Sequence, residues 1–314
     1  MARGGSDPDL WAEDHLDGGN LRDVEVAGIR TRVYEAGEGE PLLLIHGGQF
    51  GSLYSLDCWS LNLEYLARRF HVVAFDKLGQ GHTDGPAGPE DYVVEAVYRH
   101  VVGLTSALGL DNFHVLGHSR GGMVAVRLAL ESPDSIRSLV LVDTGSVAPL
   151  DPAAPVGSFY EPLETHAIGE TSLVDEVVRE PRAQAIRREW ITEDFVERMS
   201  RIADLPAYRS VREVFGRLEH EAWRPSLATW RAENLARIDS DGLGTATLVM
   251  WGFEDRSASR HQGLRLFERI AAKTLEADFV MLAGAGHYVF RDRPGAFNRV
   301  VADFCEQVRD RGFR

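Results

Sequence analysis

Phe113-His-Val-Leu-Gly-His-Ser-Arg-Gly-Gly122 packs the end of a strand, a sharp turn and the first residues of a helix into one short stretch. Phe113 to Leu116 is an apolar run too brief for a helix and is closed by Gly117; a helical pattern runs from Gly122 to Ser132. Between them, Gly117-His118-Ser119-Arg120-Gly121 sets a serine two residues from a glycine on either side. A serine at the apex of a strained strand-to-helix turn needs that spacing, because a side chain at either glycine would strike the neighbouring strand or helix. Its hydroxyl then stands at a helix N-terminus, where developing negative charge is stabilised. Ser119 is the candidate nucleophile, set against the plainer reading of a structural glycine turn.

Outward from this stretch, short apolar runs alternate with helical segments. Leu42-Leu-Leu-Ile45, Val72-Val-Ala-Phe75 and Leu139-Val-Leu-Val142 read as strands, as do Thr247-Leu-Val-Met250 and Asp278-Phe-Val-Met-Leu282 further on. Their continuous hydrophobicity predicts burial on both faces, as in a parallel sheet. Helices are expected over Trp59 to Arg69, Val93 to Leu108 and Pro294 to Arg309. Such alternation indicates an α/β fold with right-handed crossovers. The rhythm breaks over residues 148–244, which open on Pro149, Pro152 and Pro155. Helices are expected there over Ser172 to Arg179, Arg182 to Glu189, Glu193 to Ile202 and Ser226 to Ile238, with no strand. The expected organisation is a loose tail over residues 1–20, a core of residues 21–147 and 245–314, and a helical insertion over 148–244.

A serine hydroxyl needs a base. Of the 11 histidines, His287 lies in Gly284-Ala-Gly-His-Tyr, just past the last strand, at the sheet edge where ligands gather in α/β folds. His46 and His118 lie near the same edge but flank backbone elements. His71, His100, His114, His166, His220 and His261 read as surface or packing residues. The base needs an acid to fix its tautomer. Asp255, after the strand ending at Met250, is the first candidate; Asp143, at the end of the strand after the serine, is the alternative, and the adjacent Glu254 should point away. Oxyanion donors are expected at the backbone N–H groups of Gly48, in His46-Gly-Gly48, and of Arg120.

The formal net charge of −14 disfavours nucleic acid and anionic membrane surfaces as partners. No apolar run reaches the ~18 residues of a bilayer span, and Met1 to Asn20 lacks the apolar centre of a signal peptide. A soluble cytoplasmic protein is the expectation, acting on a small molecule, with a homodimer or higher homo-oligomer open. Cys58 and Cys305 form no ligand spacing and read as buried thiols. Neither a metal cluster nor a dinucleotide fingerprint appears, so neither metal nor cofactor is expected.

His46-Gly-Gly48, Asp76-x-x-Gly79-x-Gly81, Gly117-x-Ser-x-Gly-Gly122, Gly252-x-x-Asp255 and Gly286-His287 fall in one order that resembles the α/β-hydrolase superfamily, from about Val24 to Val308. The resemblance implies a mostly parallel sheet with the helical insertion as a cap, a Ser119–His287–Asp255 triad, and a structural turn at Asp76 and Gly79. Gly81-His-Thr-Asp84, Trp251-Gly-Phe-Glu-Asp-Arg256, and the pair Gln262 to Leu266 and Phe297 to Phe304 look like the hydrolases that cleave a carbon–carbon bond in 2-hydroxy-6-oxo-2,4-dienoates, ring-fission products of aromatic degradation. That likeness implies substrate contacts at Gly47, His118 and Tyr288, and a carboxylate clamp from a cap arginine, Arg198 first and Arg201 second. The sequence departs from these enzymes at His118, where they carry Asn, at Arg120, where they often carry Met, at Tyr288, where they carry Trp, and at Gln49-Phe-Gly51. A carboxylesterase or lactonase, and a non-catalytic ligand sensor of the same fold, stay open beside carbon–carbon cleavage. Haloalkane dehalogenases and epoxide hydrolases use a carboxylate nucleophile, against which Ser119 argues.

Overall fold

The computed structural model describes residues 14, 16–151, 159 and 172–310. Eight strands form one sheet: β1 (Leu21–Val26), β2 (Ile29–Ala36), β3 (Pro41–Ile45), β4 (His71–Phe75), β5 (Phe113–His118), β6 (Ile136–Val142), β7 (Ala246–Gly252) and β8 (Ala277–Leu282). Their order is β1-β2-β4-β3-β5-β6-β7-β8. From β4 to β8 all neighbours are parallel, whereas β2 is antiparallel to both β1 and β4.

The apolar runs follow from this arrangement. Leu43 and Ile45 point into one core and Leu42 and Leu44 into the other, all fully buried. The first core includes Val97 and Val101 of the Val94–Ala107 helix and Met123 of the Arg120–Glu131 helix. The second includes Phe297, Val301 and Cys305 of the Pro294–Asp310 helix. A strand covered on both faces has no polar side to alternate with.

Between β6 and β7 the described part of the insertion holds helices Leu173–Gln184, Glu193–Asp204, Pro206–Leu218 and Arg224–Asp241, the last two joined by a π-helical turn at Glu219–Trp223. Four local expectations need correction. The β1–β2 hairpin was not expected; it turns at Ala27-Gly28, both at positive φ, and its polar strands hide the usual apolar signal. The helix expected over Trp59 to Arg69 is shorter, Leu63–Ala67, after a 3₁₀ turn at Leu56–Trp59. Arg182 to Glu189 is no separate helix, because the preceding one runs on through Pro181 to Gln184. Pro206–Leu218 was missed, although Tyr208, Val211 and Phe215 give it an apolar stripe. Within the tail, Asp14 is tied to the core by Arg291, 3.0 Å away. The expected proline-rich opening from Pro152 and His166 lie outside the described residues.

Candidate active site

The chain leaves β5 through Ser119 at φ +52° and ψ −119°, a conformation that costs an L-residue energy and must be held from outside. The Ser119 N–H donates to Val142 O (2.8 Å), and its carbonyl accepts from Gly122 N (3.0 Å), Thr144 Oγ1 (2.8 Å) and Ser146 Oγ (2.9 Å). The flanking glycines are sterically required. A Cβ on Gly117 would lie 2.6 Å from the Gly121 carbonyl oxygen, and one on Gly121 would overlap the Ile45 carbonyl of β3.

His287 follows β8 and lies between two partners. Its Nδ1 is 2.7 Å from Asp255 Oδ2 and its Nε2 is 3.0 Å from Ser119 Oγ. Asp255 Oδ1 accepts from Ser257 N (2.8 Å), Ala258 N (2.9 Å) and Ser257 Oγ (3.0 Å), which leaves Oδ2 for the imidazole. The network assigns the proton to Nδ1 and leaves Nε2 to accept from the serine hydroxyl. The loop carrying His287 is itself held. Glu254 Oε2 accepts from Gly284 N and Ala285 N, and Asp292 accepts from Gly286 N. Asp292 also accepts from Ile186 N, Arg187 N and Trp190 Nε1, joining this loop to the insertion.

Asp143 is buried and accepts from Gly252 N (2.8 Å). Burial and the neighbouring Asp255 charge push its carboxyl well up, which favours the neutral form there. Asp255, and not Asp143, faces the imidazole.

Gly48, at φ +75°, and Arg120 border the same cavity as Ser119. Arg120 is the first residue of its helix, so its N–H has no intrahelical acceptor. The loop after β3 is fixed from behind: Lys77 Nζ donates to Gly48 O (2.9 Å), and His46 accepts from Lys77 N at Nε2 and so donates from Nδ1 to Gly47 O. Burial drives the His46 imidazole well below its usual range, and burial with the Arg120 charge brings Lys77 down to about 7.

Ser119 and His287 open into a cavity of about 910 Å³ under the insertion, bordered also by Tyr288, Phe195, Met199 and Trp223. Tyr288 stacks on Tyr54, with centroids 5.4 Å apart. Two expected substrate contacts, His118 and Gly47, and both candidate clamp arginines do not border it. His118 is fully buried and donates from Nε2 to the His287 carbonyl (2.9 Å); as the last residue of β5 it packs against Phe290 and Trp59 below the floor. Gly47 lies against His118 and the Ser119 Cβ. Arg198 turns away to Asp14 (2.6 Å), and Arg201 is exposed beside Glu197. Met199, one residue along the same helix, is the side chain that reaches the cavity. Thr144, Ser146, Lys77 and Asp292 were not anticipated; only the position of Thr144 and Ser146, just after β6, could have pointed to them. Among the described residues no group of three or more His, Cys, Asp or Glu could hold a metal ion, and no helix is long and apolar enough to cross a membrane.

A family model for the alpha/beta hydrolase fold matches residues 40–166. The chain is 30% identical to the 2-hydroxymuconate semialdehyde hydrolase of Pseudomonas sp. (strain CF600), covering 91% of this chain and 94% of that one. It is 28% identical to the 2-hydroxy-6-oxo-2,4-heptadienoate hydrolase of Pseudomonas putida, covering 90% and 95%. Among solved structures, the meta-cleavage product hydrolase of Pseudomonas fluorescens IP01 aligns with a TM-score of 0.74 at 23% identity, covering 91% of this chain and 97% of that one, a likeness of fold.

Proposed function

This chain belongs to the alpha/beta hydrolase superfamily and is a hydrolase, and we propose that it cleaves a carbon–carbon bond in a 2-hydroxy-6-oxo-2,4-dienoate with Ser119 as nucleophile, His287 as base and Asp255 as orienting acid. The hydrogen-bonded row Asp255–His287–Ser119, ending in a cavity of about 910 Å³, carries this reading. Relatives named for hydrolysis of such compounds, at 28–30% identity along nearly the whole chain, support the substrate class.

His287 Nε2 accepts the Ser119 proton as Oγ attacks the distal ketone, and Asp255 stabilises the imidazolium. The oxyanion formed at that carbon meets the N–H groups of Gly48 and Arg120. The bond to the neighbouring carbon then breaks, its electron pair leaves in the dienolate, and the imidazolium returns the proton to that carbon. Water, deprotonated by His287, hydrolyses the acyl-serine to a carboxylic acid and restores the hydroxyl. Before attack, the same histidine assists conversion of the enol to the keto form.

The test is a steady-state assay of purified protein against a panel of dienoates, short p-nitrophenyl esters and lactones. Bleaching of the yellow dienoates with kcat/KM above that for the esters is expected. Ester or lactone hydrolysis with inert dienoates would replace carbon–carbon cleavage by esterase chemistry on the same three residues.

A further inference from the structure

Although the chain carries a net charge of −14, the described wall of the cavity holds six arginines against three glutamates. The glutamates are engaged: Glu176 pairs with Arg212, Glu219 with Arg224, and Glu180 accepts from Gln184. Arg256 is exposed at the rim, and Arg179 has other partners. Arg120 and Arg231 differ from these. Both are half-buried, and neither pairs with a carboxylate among the described residues.

Arg231 is also fixed in place. Its Nε donates to Ser146 O (2.8 Å), and Ser146 Oγ donates to the Ser119 carbonyl (2.9 Å), so the guanidinium is registered to the nucleophile's turn through one residue. Its two terminal nitrogens are left for another acceptor. Burial and the like charge of Arg120 hold the Arg231 guanidinium below its ordinary range, a cost that a bound anion would offset. Two adjacent cations without a counter-charge, in a partly desolvated wall, are otherwise unfavourable.

We infer that Arg120 and Arg231 form the subsite that receives a carboxylate group of the substrate beside Ser119, so that the cavity selects anionic acyl compounds. The planar fork of Arg231 suits two-point contact with a carboxylate, and Arg120 adds a second cation from the start of the nucleophile's helix. The inference rests on Ser119 being the reacting group, as proposed above, and not on which bond it cleaves.

Two esters that differ only in a terminal carboxylate test it: the mono-p-nitrophenyl ester of glutaric acid and p-nitrophenyl valerate. The ratio of their kcat/KM values should fall about 10- to 100-fold in Arg231→Gln, chiefly through KM of the carboxylate ester, and less in Arg231→Lys, which keeps charge without the fork. Arg120→Gln should shift the ratio the same way. An unchanged ratio, or equal losses on both esters, would overturn the subsite and leave Arg231 as a prop for the Ser146 segment. Direct titration with glutarate, by calorimetry on wild type and Arg231→Lys, reads the same subsite if neither ester turns over; affinity that is absent or unaltered by the substitution also overturns it. Inert dienoates with a shifted ratio would defeat carbon–carbon cleavage alone.

Discussion

On the floor of the cavity Ser119, Asp255 and His287 are fixed by hydrogen bonds to groups at the ends of neighbouring strands, whereas the roof is tied down by charged side chains from distant parts of the chain. Asp255 takes its two backbone bonds from residues two and three positions on. Arg198, in the roof, reaches Asp14 and lies 3.8 Å from Asp57. Backbone donors at a strand end take their position from the sheet itself; the roof's ion pairs need insertion, core and N-terminal segment all in place. The floor therefore rests on the sheet's own strand ends, although Ser119 and His287 lie 168 residues apart, whereas the roof rests on side-chain ion pairs.

The largest expected effect tests the floor. Ser119→Ala and His287→Ala should each lower kcat by at least ~10³-fold, and Asp255→Asn by a similar or smaller factor, since the three act as a unit. Near-normal turnover by Ser119→Ala, with circular dichroism unchanged, would break the assignment of the floor as the reaction centre.

Glycines sharpen the contrast through stability. Gly121→Ala, whose Cβ would overlap the Ile45 carbonyl, should cost ~3 kcal/mol or more in chemical denaturation. In the roof, a Cβ on Gly216 meets nothing within 4 Å, and Gly216→Ala should stabilise by ~0.5–1 kcal/mol. A tolerant Gly121 would show that the turn can relax.

Among roof charges, Arg198→Gln leaves Asp14 with Arg291 as its one remaining cation and should cost about 2–4 kcal/mol. Exposed Arg201→Gln should cost no more than ~0.5 kcal/mol. Equal costs would mean that the Asp14 cluster does not fasten the roof.

Acid separates the sheet's core from the roof as well. Burial brings His100 and His114 down to about 4, against an ordinary value near 6.5. Between those values the unfolded chain binds more protons than the folded one, so their stabilising effect is complete above pH ~6.5 and is lost as pH falls towards 4. Burial pushes the Asp14 carboxyl up, but Arg291, Ser60, Arg198 and Thr192 outweigh it and hold it below its usual value; its contribution is lost only below pH ~4. His100→Gln should flatten the fall of Tm between pH 6.5 and 4, and Asp14→Asn should alter only the part below. The reverse pattern would exchange the two windows.

The α/β fold and the loops that carry Ser119, Asp255 and His287 are legible in the sequence, because each sits in a short pattern whose meaning depends on its immediate neighbours. Gly117 and Gly121 had to be glycine for a turn that the strand and helix beside them already implied. The hairpin from Leu21 to Ala36 is not legible in the sequence because charged residues interrupt both strands and leave no apolar run. Which arginine faces the cavity depends on how the helices pack. Arg198 suits a clamp by its place on a helix, but the step of roughly 100° between neighbours on that helix presents Met199 inward and sends Arg198 to Asp14, a residue 184 positions away. Arg231 has no local signature; its position beside Ser119 follows from the Ser146 carbonyl that holds it across 85 residues. A side chain's direction depends on the packing angle of its helix, and that angle is fixed by contacts made when distant segments come together.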